Sequence, residues 1–165
     1  MIAAVNGVAA GGGLVLATMC DVRIASAAAS FLTVFLKRGL VAEHGTSWNL
    51  PRMLGPGRAL DLLWTSRRVD AAEAYRIGLV EYLCEPEALL DRARDYVRQV
   101  AANAAPMTVA DTKRLVYRHL GMGYPEALRD ADTVQWDAVA RADAREGAQA
   151  LLEKREPHFQ RLGSA

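Results

Sequence analysis

An α/β fold is predicted by three features of the 165-residue chain. Through residues 1–85, apolar runs of strand length alternate with helical stretches and glycine-marked breaks. From residue 86 onward the apolar positions recur only at helical spacing, so residues 86–165 read as a helical C-terminal region. The composition agrees: 52% of residues are hydrophobic, only 7% are aromatic, and 30 are alanine, which favours helices packed through small side chains.

Each element follows from local pattern. Residues 2–6 (IAAVN) read as a short buried strand. Gly7 to Gly13 (GVAAGGG) holds four glycines in seven residues and is expected to be irregular. Leu14 to Cys20 reads as a buried helix, and Asp21 to Ser26 as a strand with Val22 and Ile24 on one side. A further apolar piece, Ser30 to Leu36, leads through Lys37, Arg38 and Gly39 into the loop Leu40–Gly45. Thr46 or Ser47 is expected to cap a helix to about Leu54. Gly57 to Ser66 is helical, with Ala59, Leu60, Leu62 and Leu63 on its period. Asp70 is a helix N-cap with Glu73 three residues on, as in a capping box, and Gly78 stops that helix. Leu79 to Leu83 is a last strand. Then come Pro86 to about Asn103, with Leu90 and Val97 inward, and a helix opened by Pro106, with Met107 and Val116 inward. Helices from Pro125 to about Ala140 and from Glu146 to Glu153 complete the chain.

Composition also excludes. Twenty Lys and Arg against 19 Asp and Glu leave a net charge of +1, without the basic excess of a nucleic-acid binder. Cys20 and Cys84 make neither a disulfide framework nor a zinc site; they read as buried free thiols of a reducing compartment, and a cytoplasmic location is expected. His44, His119 and His158 are scattered, so no metal site is expected. The apolar start lacks a basic flank before Arg23 and is broken by Asn6 and glycines, which argues against a signal peptide or membrane insertion.

The order strand, glycine cluster, helix admits two readings. Gly11-Gly12-Gly13 can cradle an oxyanion or phosphate on free peptide N–H groups, or it can be a tight turn that lets a helix pack on a sheet. Neither GxGxxG nor GxxxxGK[ST] occurs, so nucleotide readings are weak.

The run IAAVNGVAAGGGLVLATMCDVRIAS resembles the crotonase superfamily of enoyl-CoA hydratases and isomerases. The likeness continues through GLVAEHGTSWNLPRMLG and RALDLLWTSRRVDAAEAYRIGLVEYL to the terminal REGAQALLEKREPHF. It implies the C-terminal part of a crotonase-like ββα spiral, with residues 1–85 as a partial spiral core and residues 86–165 as the helical region that builds homotrimers or hexamers. It implies an acyl-CoA thioester as ligand, with coenzyme A as part of the substrate and no separate cofactor. Gly12 would then give its N–H to the thioester oxygen, flanked by Gly11 and Gly13 as binding residues. Family hydratases carry two glutamates, but Val15 and Phe35 stand at the matching places, so the ordinary water-adding machinery is not expected. Glu43 falls where some relatives place a single acid, which suits a Δ3,Δ2-enoyl-CoA isomerase. The bland alternative for Glu43 is an exposed loop carboxylate. His44 is either its partner or a plain loop histidine; Trp48 either lines an acyl pocket or is core; Lys154 either touches the coenzyme A phosphates of a neighbouring subunit, as the resemblance implies, or is a solvated lysine. The resemblance also implies an N-terminally truncated member, lacking a second oxyanion donor. Hydratase or hydrolase chemistry, and a non-catalytic oligomerising fragment, stand as alternatives.

Overall fold

The computed structural model describes residues 1–161. The chain divides into two compact units, Met1–Asp95 and Tyr96–Ala165.

The first unit holds two small sheets. Strand β1 (Ile2–Val5) lies parallel to β3 (Val22–Ser26), which lies parallel to β6 (Tyr82–Cys84), in the order β1-β3-β6. The second sheet has the order β2-β4-β5, from Val8–Ala10, Ser30–Leu32 and Val69–Asp70. Here β2 and β4 are parallel, with Ala9 opposite Phe31, and β4 and β5 antiparallel, with Phe31 opposite Val69. Helices α1 (Gly12–Thr18), α2 (Thr46–Leu54), α3 (Pro56–Thr65) and α4 (Ala71–Ile77) surround one apolar core that includes Leu14, Phe31, Leu50, Leu62 and Leu79.

Arg23 ties this unit together. It is buried in β3, and its Nε and Nη1 donate to the carbonyls of Leu79 (3.0 Å) and Cys20 (2.7 Å). Glu81 pairs with the same guanidinium through Nη2 and accepts the Arg23 N–H at 2.6 Å. A buried cation persists only when its charge and donors are met, and the Leu79 and Cys20 carbonyls and the Glu81 carboxylate meet them here. Ile24, Ala25 and Ser26 are buried as well, so β3 is covered on both faces.

Several expectations are corrected. The glycine segment contains a regular piece, since β2 occupies Val8–Ala10 and α1 begins at Gly12. Helix α1 is buried on one face only, and Leu16 and Met19 are exposed. Neither Thr46 nor Ser47 caps α2: the cap is Gly45, left-handed at φ +78°, and the Thr46 hydroxyl donates back to the Glu43 carbonyl at 2.6 Å. Leu60 lies outward on α3. Leu79 and Val80 are buried but lie outside β6, because both of their N–H groups turn back to the Ala74 carbonyl and close α4. Asp70 does cap α4, its Oδ1 accepting the Glu73 N–H at 2.7 Å. The Glu73 carboxylate serves Arg67 instead of closing a box, through two bonds of 2.7 and 2.8 Å. That bidentate pairing holds Glu73 below the usual carboxylate range. Both cysteines are half-buried, and desolvation pushes the Cys84 thiol up.

Helix α5 (Leu89–Asn103) begins in the first unit and continues past Tyr96. Of its residues only Leu89 is buried; Leu90 and Val97 face outward. The second unit contains α6 (Pro106–His119), α7 (Tyr124–Val139) and α8 (Ala142–Glu153). Met107 and Val116 are exposed, whereas Asp111 is the buried residue of α6, bonded to Arg114 (3.0 Å) and Arg141 (2.7 Å). Helix α8 starts at Ala142, four residues before the expected Glu146.

Candidate functional site

The glycine triplet splits into two kinds of residue. Gly11 is buried at φ +51°, ψ −114°, a conformation that needs glycine. Its N–H already donates to the Leu32 carbonyl at 3.0 Å, and a Cβ there would stand 3.2 Å from the Val34 Cγ2. Gly12 and Gly13 are exposed, and a Cβ on either would meet nothing within 4 Å. No backbone carbonyl among the described residues accepts from their N–H groups. Two peptide donors are therefore presented outward at the start of α1, and the buried Gly11 turn behind them is already satisfied.

Glu43 sits in the loop before α2. The loop is anchored on both sides: Ala42 packs against the apolar core, and the Glu43 carbonyl accepts from the Thr46 N–H (2.9 Å) and hydroxyl. The chain then turns through two left-handed residues, His44 (φ +50°) and Gly45. The Glu43 side chain is 34% exposed, and its Oε2 lies 3.5 Å from Nε2 of His44, which is 68% exposed. The other acids from Met1 to Glu81 are committed elsewhere. Asp61 and Glu73 serve Arg67, Asp70 caps α4, Glu81 serves Arg23, and Asp21 pairs with the N-terminal amine. Helix α1 packs against α2, so the glycine turn and the Glu43 loop lead into neighbouring helices.

Trp48 is 45% exposed on the outer side of α2 and is not core; the Arg52 guanidinium stacks on it at 3.8 Å from the ring centroid. Val15 and Phe35 are buried members of the same core cluster as Leu14 and Leu50. Lys154 is an exposed left-handed residue (φ +54°) ending α8 in the second unit. His119 pairs with Asp130 at 3.1 Å, and among the described residues no three His, Cys, Asp or Glu side chains converge as a metal set. No described helix is long and apolar enough to cross a membrane.

Sequence reasoning missed Val34. Thr33-Val34-Phe35 lies within the apolar piece Ser30 to Leu36 with nothing to mark it, yet Val34 takes φ +54°, an outlier for a β-branched residue that costs on the order of 1–3 kcal/mol. No feature of the sequence signals it, because the cause lies in the long-range fixing of its neighbours.

Comparison with known proteins gives a consistent picture. The family model described as enoyl-CoA hydratase/isomerase matches residues 1–162. The (E)-benzylidenesuccinyl-CoA hydratase of Thauera aromatica is 39% identical over 173 residues, covering 96% of this chain and 62% of that protein. The carnitinyl-CoA dehydratase of Citrobacter koseri is 36% identical, covering 95% of this chain and 61% of that protein. The crystal structure of an enoyl-CoA hydratase from Bacillus anthracis superposes with a TM-score of 0.93 at 33% identity, over 96% of this chain and 61% of that one. The chain thus spans about three fifths of the length of the relatives it matches. With family model, relatives and solved folds in agreement across nearly its whole length, the chain belongs to the enoyl-CoA hydratase/isomerase family of the crotonase superfamily and carries part of the crotonase fold.

Proposed function

We propose that the chain is the catalytic part of an acyl-CoA-processing enzyme that works through an enolate, with Gly12 as oxyanion donor and Glu43 as the single proton-transfer group. The observation that carries this reading is the pair of outward, unclaimed N–H groups at Gly12 and Gly13. The Glu43 carboxylate supports it, since among the described residues it pairs with His44 and with no arginine or lysine. A 3-enoyl thioester would lose a proton from C2 to Glu43, the electron pair would pass to the thioester oxygen held by Gly12, and Glu43 would return the proton at C4. The double bond moves, and atoms and charge balance without water. An oxyanion donor of this kind is worth about 10²–10³ in rate. His44 would orient Glu43, Trp48 and Gly13 would border the acyl thioester, and Lys154 would serve the coenzyme A phosphates of a neighbouring subunit. Gly11 would contribute by shaping the turn, since its own N–H is spent on Leu32.

Hydration is the second reading, favoured by the names of the relatives, which are hydratases and dehydratases. Against it, the two positions where the family resemblance expects glutamates are the buried, apolar Val15 and Phe35. Calorimetric titration of the 165-residue chain with an enoyl-CoA thioester is the first test, because a chain that binds none is an assembly fragment instead. Glu43→Gln should then lower isomerase turnover by about 10²–10⁴-fold with the circular dichroism unchanged. Unchanged turnover in that variant removes Glu43 from the mechanism, and ¹⁸O entering the product from solvent replaces isomerisation by hydration.

A further inference from the structure

We propose that Val34 is a positioning residue: its left-handed backbone presses a methyl onto the Gly11 turn and so fixes the direction of the Gly12 and Gly13 N–H groups. The proposal deepens the reading given above and rests on those amides being thioester donors. Three observations support it. Val34 is β-branched at φ +54°, where its side chain crowds the following carbonyl. Its neighbours leave it no other path. Thr33 is buried with its hydroxyl donating to the Leu62 carbonyl at 2.9 Å, and Phe35 is buried in the core. Val34 itself is half-buried, with its Cγ2 3.2 Å from where a Cβ of Gly11 would be.

Gly11 is therefore gripped from two directions. The Leu32 carbonyl holds its N–H at 3.0 Å, and the Val34 methyl closes the space beside its Cα. The Gly11 dihedrals determine where the next two peptide planes point. Strain of this sort persists only where the surroundings over-determine it, and it clusters where a fold must hold a group ready rather than let it relax. Preorganised donors are effective because they need no reorganisation as charge develops on the substrate.

The test is amide hydrogen exchange on the full chain, read by NMR, together with thioester affinity. Val34→Gly accepts the backbone conformation freely but lacks the methyls. Val34→Ala also lacks them, and Val34→Ile restores the branched contact. The Gly11 N–H should exchange at least about tenfold faster in the glycine and alanine variants and recover in the isoleucine variant. Protection at Met19, whose N–H donates to the Val15 carbonyl at 3.0 Å, and at Phe31 should stay as in the wild type, and the Val34→Gly melting temperature should not fall. Thioester affinity should weaken about tenfold or more in the glycine variant. Unchanged Gly11 protection in Val34→Gly overturns the proposal. So does a general loss of protection with a lowered melting temperature, which would make Val34 an ordinary packing residue. Faster Gly11 exchange with unaltered thioester affinity also overturns it. A wild-type chain that binds no thioester defeats the proposed function, and the Gly11 exchange rates still decide whether Val34 locks the turn.

Discussion

Gly11 and Gly12 are neighbours of one residue type with different reasons to be glycine. At Gly11 a methyl meets the Val34 Cγ2 at 3.2 Å and the backbone sits at φ +51°. Gly11→Ala should therefore destabilise the fold by about 1–3 kcal/mol, measured by chemical denaturation. At Gly12 a methyl meets nothing within 4 Å, and alanine is the better helix former. Gly12→Ala should leave stability unchanged or raise it by about 0.5–1 kcal/mol. The same methyl would stand beside the outward N–H, so thioester affinity should fall while the fold holds. A Gly12→Ala chain that binds thioester as tightly as the wild type removes close approach as the reason for that glycine. The GGG pattern alone cannot separate these cases, because the cause at Gly11 is a residue 23 positions later in the chain.

Elements whose signals are local were legible in the sequence. Asp70 caps α4 and Gly78 ends it at φ +83°, since both act through backbone groups within one turn. What was not legible depends on distant partners. Glu73 turned to Arg67, Leu79 and Val80 gave their N–H groups to Ala74, and α2 took Gly45 as its cap. The end of α8 shows another such device. Lys154 turns left-handed, and Glu146 gathers both Arg155 Nη groups (2.6 and 3.0 Å) and the His158 N–H (2.8 Å). These bonds, those from Arg155 first, hold the Glu146 carboxyl down to about 2. A depressed folded value means the clasp's contribution is complete above the ordinary glutamate value of 4.5 and is lost as pH falls through about 2. The Glu146 carboxyl carbon should therefore titrate near 2 in the wild type and move toward 4.5 in Arg155→Ala. A wild-type midpoint near the ordinary value would show that the clasp does not form in solution.

At the scale of the whole chain, the unit from Tyr96 onward leaves most of its large apolar side chains exposed among the described residues. Its buried residues among those described are Ala105, Asp111 and Ala150. Outside remain Trp136 at 73% exposure, Leu151 at 78% and Leu152 at 84%, with Tyr124 and Val116 also open. Surface charge does not compensate, because several charged groups there are already engaged, as in Asp111 with Arg141 and Asp130 with His119. Large apolar side chains left open in such number point to association. The family resemblance implies the form to test for, a trimer or a pair of trimers built by the helical region. Sedimentation velocity at micromolar concentration should accordingly give a species near three times the 17.9 kDa chain mass, or twice that again. Trp136→Glu places a charge at an exposed apolar side chain in the last turn of α7 and should shift the population to monomer while helicity holds, because an exposed tryptophan would stabilise an interface and not the protomer. A wild-type chain that sediments as a monomer across that range would show that the helical unit keeps these residues in water, and the oligomeric reading would fail with it. A trimer indifferent to Trp136→Glu would instead put the contact on Leu151 and Leu152 of α8, an apolar pair still more open than Trp136, where Leu151→Glu repeats the test.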